Sequence, residues 1–147
     1  MTKEISSTPP EFHPNTILLV DDDPDIRSLT RTFLEHESYQ VLSTGDSDRA
    51  AHIFQTAPHV DLLITDLYMP NRSGMDLARY LKTLRQDLPV LMISGGLVPE
   101  RLQRQLTLQG WSFLPKPFDL PQLLATVHLI LNSVHPTLTT LSNLLQR

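Results

Sequence analysis

Five short apolar runs punctuate the chain, and each is followed by a polar turn and then by apolar residues at helical spacing. Residues 16–20 (TILLV) lack polar/apolar alternation, the mark of a strand covered on both faces. Asp21, Asp22 and Asp23 come next, then Pro24. Asp23 is placed to cap a helix that begins at Pro24, and Ile26, Leu29, Phe33 and Leu34 repeat along it at helical spacing. Residues 39–43 predict a second strand and 47–56 a second helix, with Ala50, Ile53 and Phe54 facing inward. Residues 60–65 predict a third strand ending at Asp66, followed by a proline-containing loop and a helix over 74–85. A fourth strand over 90–93 ends at Ser94, Gly95 and Gly96. The helix expected over 99–108 has a thin apolar face, Leu102 and Leu106, and Gly110 is placed to terminate it. A fifth strand over 111–114, with Trp111 packing inward, leads through Pro115, Lys116 and Pro117 to a helix over 120–132. Five strands alternating with five helices predict right-handed βαβ crossovers and a parallel sheet with helices on both faces.

Outside this rhythm, residues 1–15 read as a flexible polar leader. Residues 133–147 read as an extension in which Pro136 breaks the last helix. There Leu138, Leu141, Leu144 and Leu145 form a stripe on a short amphipathic helix. The stripe is expected to fold back onto the domain, with partner docking or a dimer contact as the alternative.

At 147 residues, with 40% hydrophobic and 19% charged, residues 16–132 can bury a core without staples. There is no cysteine, which excludes disulfides, thiolate metal sites and a cysteine nucleophile. The six histidines are scattered without metal-ligand spacing. Net charge is −4 and no Lys/Arg run exists, so direct nucleic-acid binding is not expected. The longest apolar stretch, near 123–131, is broken by His128 and too short to cross a bilayer. No secretion signal is visible near the N-terminus, and the expected location is the cytoplasm.

In an open parallel sheet, ligands bind at the carboxyl ends of the strands. Here those ends carry Asp21 and Asp22, Asp66, Ser94 and, after the fifth strand, Lys116. Three carboxylates in one crevice repel one another, and a divalent cation relieves the repulsion. All-oxygen ligation with little protein caging suits Mg²⁺. Carboxylates, metal, ammonium and hydroxyl together form a cradle for a phosphoryl group. One carboxylate can itself be the nucleophile and form an aspartyl phosphate.

The segments ILLVDDDPDIR (17–27), LLITDLYMPNRSGMDL (62–77), VLMISG (90–95) and FLPKPF (113–118) resemble a family. In this order they are similar to the chemotaxis-Y-like receiver domain of two-component response regulators, over about residues 16–132. The resemblance implies a flavodoxin-like three-layer α/β fold with strand order 2-1-3-4-5. It implies that Asp66 accepts phosphoryl from a histidine kinase or a histidine phosphotransfer protein. Asp22 and Asp66 would bind Mg²⁺ directly, Asp21 mainly through water, and the backbone carbonyl of Tyr68 would be a further ligand. Lys116 would pair with phosphoryl oxygens, with a cis bond to Pro117, and Ser94 would be the switch hydroxyl. Phe113 would be the switch aromatic, but it lacks a hydroxyl, so its two positions would differ in packing alone. Tyr68 is large for its place at the mouth of the site and is expected to slow attack by water. Output would pass through the face made by the fourth helix, fifth strand and fifth helix to a protein target, with a homodimer as a further expected partner state. The residues after 132 are too few to make an output domain.

Three other readings compete. A haloacid-dehalogenase-like phosphohydrolase needs an acid two residues after its nucleophile, where this chain has Tyr68. A receiver belonging to a hybrid kinase or larger regulator fits the same motifs. A pseudo-receiver scaffold would be marked by a lost acidic residue, and all the expected ones are present. The chain is therefore expected to act on itself and not to turn over an external substrate.

Overall fold

A computed structural model describes residues 14–134. The expected leader, but for its last two residues, and the leucine stripe at 138–145 lie outside the described residues. Five strands and five helices alternate: β1 (Thr16–Val20), α1 (Pro24–His36), β2 (Gln40–Thr44), α2 (Ser47–Thr56), β3 (Leu62–Asp66), α3 (Gly74–Leu84), β4 (Val90–Ser94), α4 (Glu100–Gln109), β5 (Ser112–Pro115) and α5 (Leu120–Val134). All strand pairs are parallel and their order is β2-β1-β3-β4-β5. This is the expected flavodoxin-like arrangement.

The continuous apolar runs are explained by two separate cores. Leu18, Val20, Leu63, Val90 and Met92 point to one face, under α2, α3 and α4. Ile17, Leu19, Leu62, Ile64, Leu91 and Ile93 point to the other, under α1 and α5. Alternation persists along each strand, but both faces are dry, so both sets must be apolar. Trp111 is buried, as expected.

The helix starts follow local chemistry. The Asp23 carboxylate accepts from the backbone N–H groups of Asp25 and Ile26, and Ser73 caps α3 by accepting from the Asp76 N–H.

Two strands begin one residue later than the pattern predicts, for one reason. The Tyr39 N–H donates to the Leu34 carbonyl, closing α1 past Ser38, whose φ is 72°. The Trp111 N–H donates to the Leu106 carbonyl, closing α4 past Gly110 at φ 76°. Each amide is used to end a helix and cannot also start a strand ladder. Leu29 shares the helical spacing of Ile26, Phe33 and Leu34, yet it is 58% exposed. It lines an open groove with Ile26, Pro117 and Phe118, beside Lys116.

Candidate functional site

The carboxyl ends of β1, β3 and β4 converge with the loop after β5. Asp21 follows the last residue of β1, Asp66 is the last residue of β3, and Ser94 is the last of β4. Carboxylate oxygens of Asp21, Asp22 and Asp66 lie within 4.8 Å of one another. Asp21 and Asp66 are buried, and Asp22 is exposed at the mouth.

Lys116 reaches into this cluster from β5. Its Nζ donates to Asp21 Oδ2 and to Asp66 Oδ2, each at 3.1 Å. Its own N–H donates to the Ser94 carbonyl at 2.7 Å, which sets where the side chain starts. The bond from Lys116 to Pro117 is cis. Burial pushes the Asp66 carboxyl above its ordinary value and the Asp21 charge adds to this, while the bond and charge of Lys116 act against it. Burial by itself would lower the Lys116 ammonium. The bonds to Asp66 and Asp21 outweigh it and hold the group above its ordinary value.

The other expected site residues are placed less directly. The Ser94 hydroxyl is buried and accepts from the Gly96 N–H at 3.1 Å, so it is engaged with its own loop. The Tyr68 N–H donates to Asp66 Oδ1 at 3.3 Å. Its ring is half exposed and leans toward Gly96, and its hydroxyl donates to the Leu97 carbonyl at 3.0 Å. Tyr68 thus ties the loop after Asp66 to the loop after Ser94. Phe113 is half-buried, faces Met92 across the β4–β5 pair and packs on the core under α4.

Three further residues shape the site; Arg27 and Gly74 lie within the family-like segments 17–27 and 62–77, whereas Gly45 lies outside them. Arg27 donates from Nη1 to the Asp21 carbonyl at 2.7 Å. Gly45 packs against that guanidinium. Gly74 sits under Asp66, and its N–H donates to the Leu67 carbonyl at 2.8 Å. Each contact is made across a turn or between strand ends, which neither periodicity nor a cap rule reports.

The residues present suit a hard divalent cation. The donors are all oxygens, Asp22 leaves the cluster open to water, and burial disfavours the Asp66 charge without a counter-ion. A doubly wound parallel sheet that gathers acidic groups and a lysine at its carboxyl edge defines a class of α/β ligand-binding modules.

The comparisons narrow the class. The response regulator receiver domain family matches residues 17–128. The transcriptional regulatory protein CpxR of Escherichia coli K12 is 33% identical over 121 residues, covering 82% of this chain and 51% of CpxR. The chain thus spans about half the length of that relative. The CheY-like receiver protein of Methanospirillum hungatei superposes with a TM-score of 0.77 at 23% identity, covering 83% of this chain and 97% of that one. The chemotaxis protein CheY4 of Vibrio cholerae superposes with a TM-score of 0.74 at 26% identity, covering 80% of this chain and 99% of that one. The chain belongs to the response regulator receiver domain family of two-component systems.

Proposed function

We propose that Asp66 is the phosphoryl acceptor of this receiver, charged by a phosphohistidine on a histidine kinase or phosphotransfer protein. The observation that supports this most directly is the bridge from Lys116 Nζ to Asp21 and Asp66 inside a cluster of three carboxylates. An Asp66 carboxylate oxygen attacks phosphorus; the P–O bond forms as the P–N bond breaks, and the departing imidazole takes the electron pair and later a proton. Lys116 is held beside the attacking oxygen and offers its charge to the phosphoryl oxygens. Asp21, Asp22, Asp66 and the Tyr68 carbonyl would hold Mg²⁺, which when bound neutralises charge in the cradle. The groove lined by Ile26, Leu29, Pro117 and Phe118 beside Lys116 suits an apolar contact with the donor protein.

Output follows from a bias on a two-state loop. Ser94 leaves the Gly96 N–H and donates to the phosphoryl group, the β4–α4 loop follows, and Phe113 repacks. The face of α4, β5 and α5 then changes its affinity for a protein target or a second copy of the chain. A net charge of −4 with no basic run favours a protein contact over nucleic acid. No described helix is long and apolar enough to cross a membrane, and the proposed location is the cytoplasm. The chain acts on itself and turns over no external substrate.

Intact-mass analysis after incubation with acetyl phosphate is the test. The parent should gain one phosphoryl group only with Mg²⁺, and Asp66→Asn should gain none. A parent that forms neither this adduct nor a beryllofluoride complex refutes the proposal. Tyr68 supplies a second prediction. Its half-exposed ring, held by the bond to Leu97, shields the acyl phosphate from water. Tyr68→Asn should lose the phosphoryl group about tenfold faster than the parent, a barrier change of roughly 1.4 kcal/mol. Equal decay of the mass adduct would reject the shielding role.

A further inference from the structure

Arg27 lies outside the cluster of acids, yet its side chain reaches back to the turn that carries two of them. The β1–β2 ladder ends with Val20 opposite Thr44. Asp21 extends it by one bond, its N–H donating to the Thr44 carbonyl at 3.2 Å. Beyond that point β2 turns away at Gly45, and the Asp21 carbonyl accepts from Arg27 Nη1 at 2.7 Å instead of from a strand. The Arg27 N–H donates to the Asp23 carbonyl at 2.9 Å, so main chain and side chain of one residue close the same turn.

Gly45 supplies the independent observation. A Cβ there would lie 2.4 Å from Arg27 Nη1 and 3.3 Å from the Asp21 carbonyl oxygen. The only described glycine with positive φ is Gly110, so Gly45 is present for space and not for backbone freedom. The gap between the two turns is filled by the guanidinium.

We propose that Arg27 is a positioning residue for the metal-binding carboxylates, locking the β1–α1 turn against Gly45 so that Asp21 and Asp22 are pre-set for a divalent cation. The inference rests on the Mg²⁺ reading given above. Because the bond is made to main chain, the guanidinium stands behind the turn while the carboxylate oxygens remain available. Groups that orient ligands without touching the metal typically change affinity about 10- to 100-fold. Arg27→Met should therefore weaken Mg²⁺ binding about tenfold. Arg27→Lys keeps the charge without the planar fork and should fall between parent and Arg27→Met. Gly45→Ala keeps Arg27 and its charge but displaces the guanidinium. The obstacle is chiefly the tip of a flexible side chain, so the fold should survive. It should weaken Mg²⁺ in the same direction, and the double variant should be no worse than Arg27→Met alone.

The experiment is calorimetric titration with Mg²⁺ of the parent, Asp22→Asn, Arg27→Met, Arg27→Lys, Gly45→Ala and the Arg27→Met/Gly45→Ala double variant, each checked for parent-like circular dichroism. Weakening by both single changes, without further loss in the double, supports the inference. If the parent binds, Asp22→Asn does not, and either Arg27→Met or Gly45→Ala matches the parent, the inference is overturned and the metal reading stands. Independent, additive losses would also overturn it, since the two residues would not share one junction. A parent that binds no Mg²⁺ removes the metal reading and this inference with it.

Discussion

Lys116→Met should lower the rate of phosphoryl uptake from acetyl phosphate by roughly a hundredfold, the usual scale for losing one pre-set donor to a developing anion. Methionine keeps the apolar stem and removes the ammonium, its charge and its donor hydrogens together. The same change leaves Asp21 and Asp66 facing each other without their ammonium. Its effect on stability has a defined pH dependence. The Lys116 ammonium is held above its ordinary value of 10.5, so the stability it brings is complete below that value and is lost only as pH rises through the higher one. The Asp66 carboxyl already sits above 3.8, so ionising it costs the fold stability as pH rises through its shifted value. Without Lys116 that cost grows. In metal-free buffer, urea unfolding should therefore show a deficit on the order of 2 kcal/mol at pH 8, smaller than for a fully enclosed pair. The deficit should shrink toward pH 4, as the Asp66 carboxylate, held above its ordinary value, becomes neutral. A deficit independent of pH would mean that Lys116 acts through packing and not through charge.

Gly74→Ala should be the most damaging single methyl group near the site. A Cβ there would stand 2.2 Å from the Asp66 carbonyl oxygen, and 3.1 Å from both the Asp66 carbonyl carbon and the Leu67 Cα. Every obstacle is main chain, so no side chain can swing away. Either α3 or the β3–α3 loop has to move, and the Gly74–Leu67 bond is lost or stretched. Overpacking of this kind costs about 3 kcal/mol. For a chain of this size that lowers the melting temperature by about 10 °C. Asp66 moves with the loop, so phosphoryl uptake should also fall. Gly95→Ala is the control. Its Cβ would meet only Lys116 Cβ and Cδ at 3.6 Å, ordinary contact, and its stability should stay within about 0.5 kcal/mol of the parent. Equal melting of Gly74→Ala and the parent would show that the close approach under Asp66 constrains nothing.

Local energetics were readable from the residues alone. The order and type of all ten elements follow from apolar runs, helical spacing, Asp23 before Pro24, and Gly110 after α4, because each is decided by neighbours a few residues apart. The acids at strand ends were legible for the same reason: in a parallel sheet the end of each apolar run is also the edge where ligands bind. The resemblance then supplied the strand order.

What the tertiary structure alone decided is contact between those ends. Lys116 bridges residues 95 and 50 positions away in the chain, and no local pattern states which two carboxylates it meets. The later starts of β2 and β5 reflect competition for the single N–H of Tyr39 and of Trp111, which closes a helix in each case. Leu29 has helical spacing yet faces outward beside Lys116, because the width of the covered stripe on α1 depends on how the helix sits on the sheet. Arg27, Gly45 and Gly74 are ordinary residues by composition. They matter at the site because sheet order and register bring two turns, or a helix start and a strand end, within a methyl group of each other.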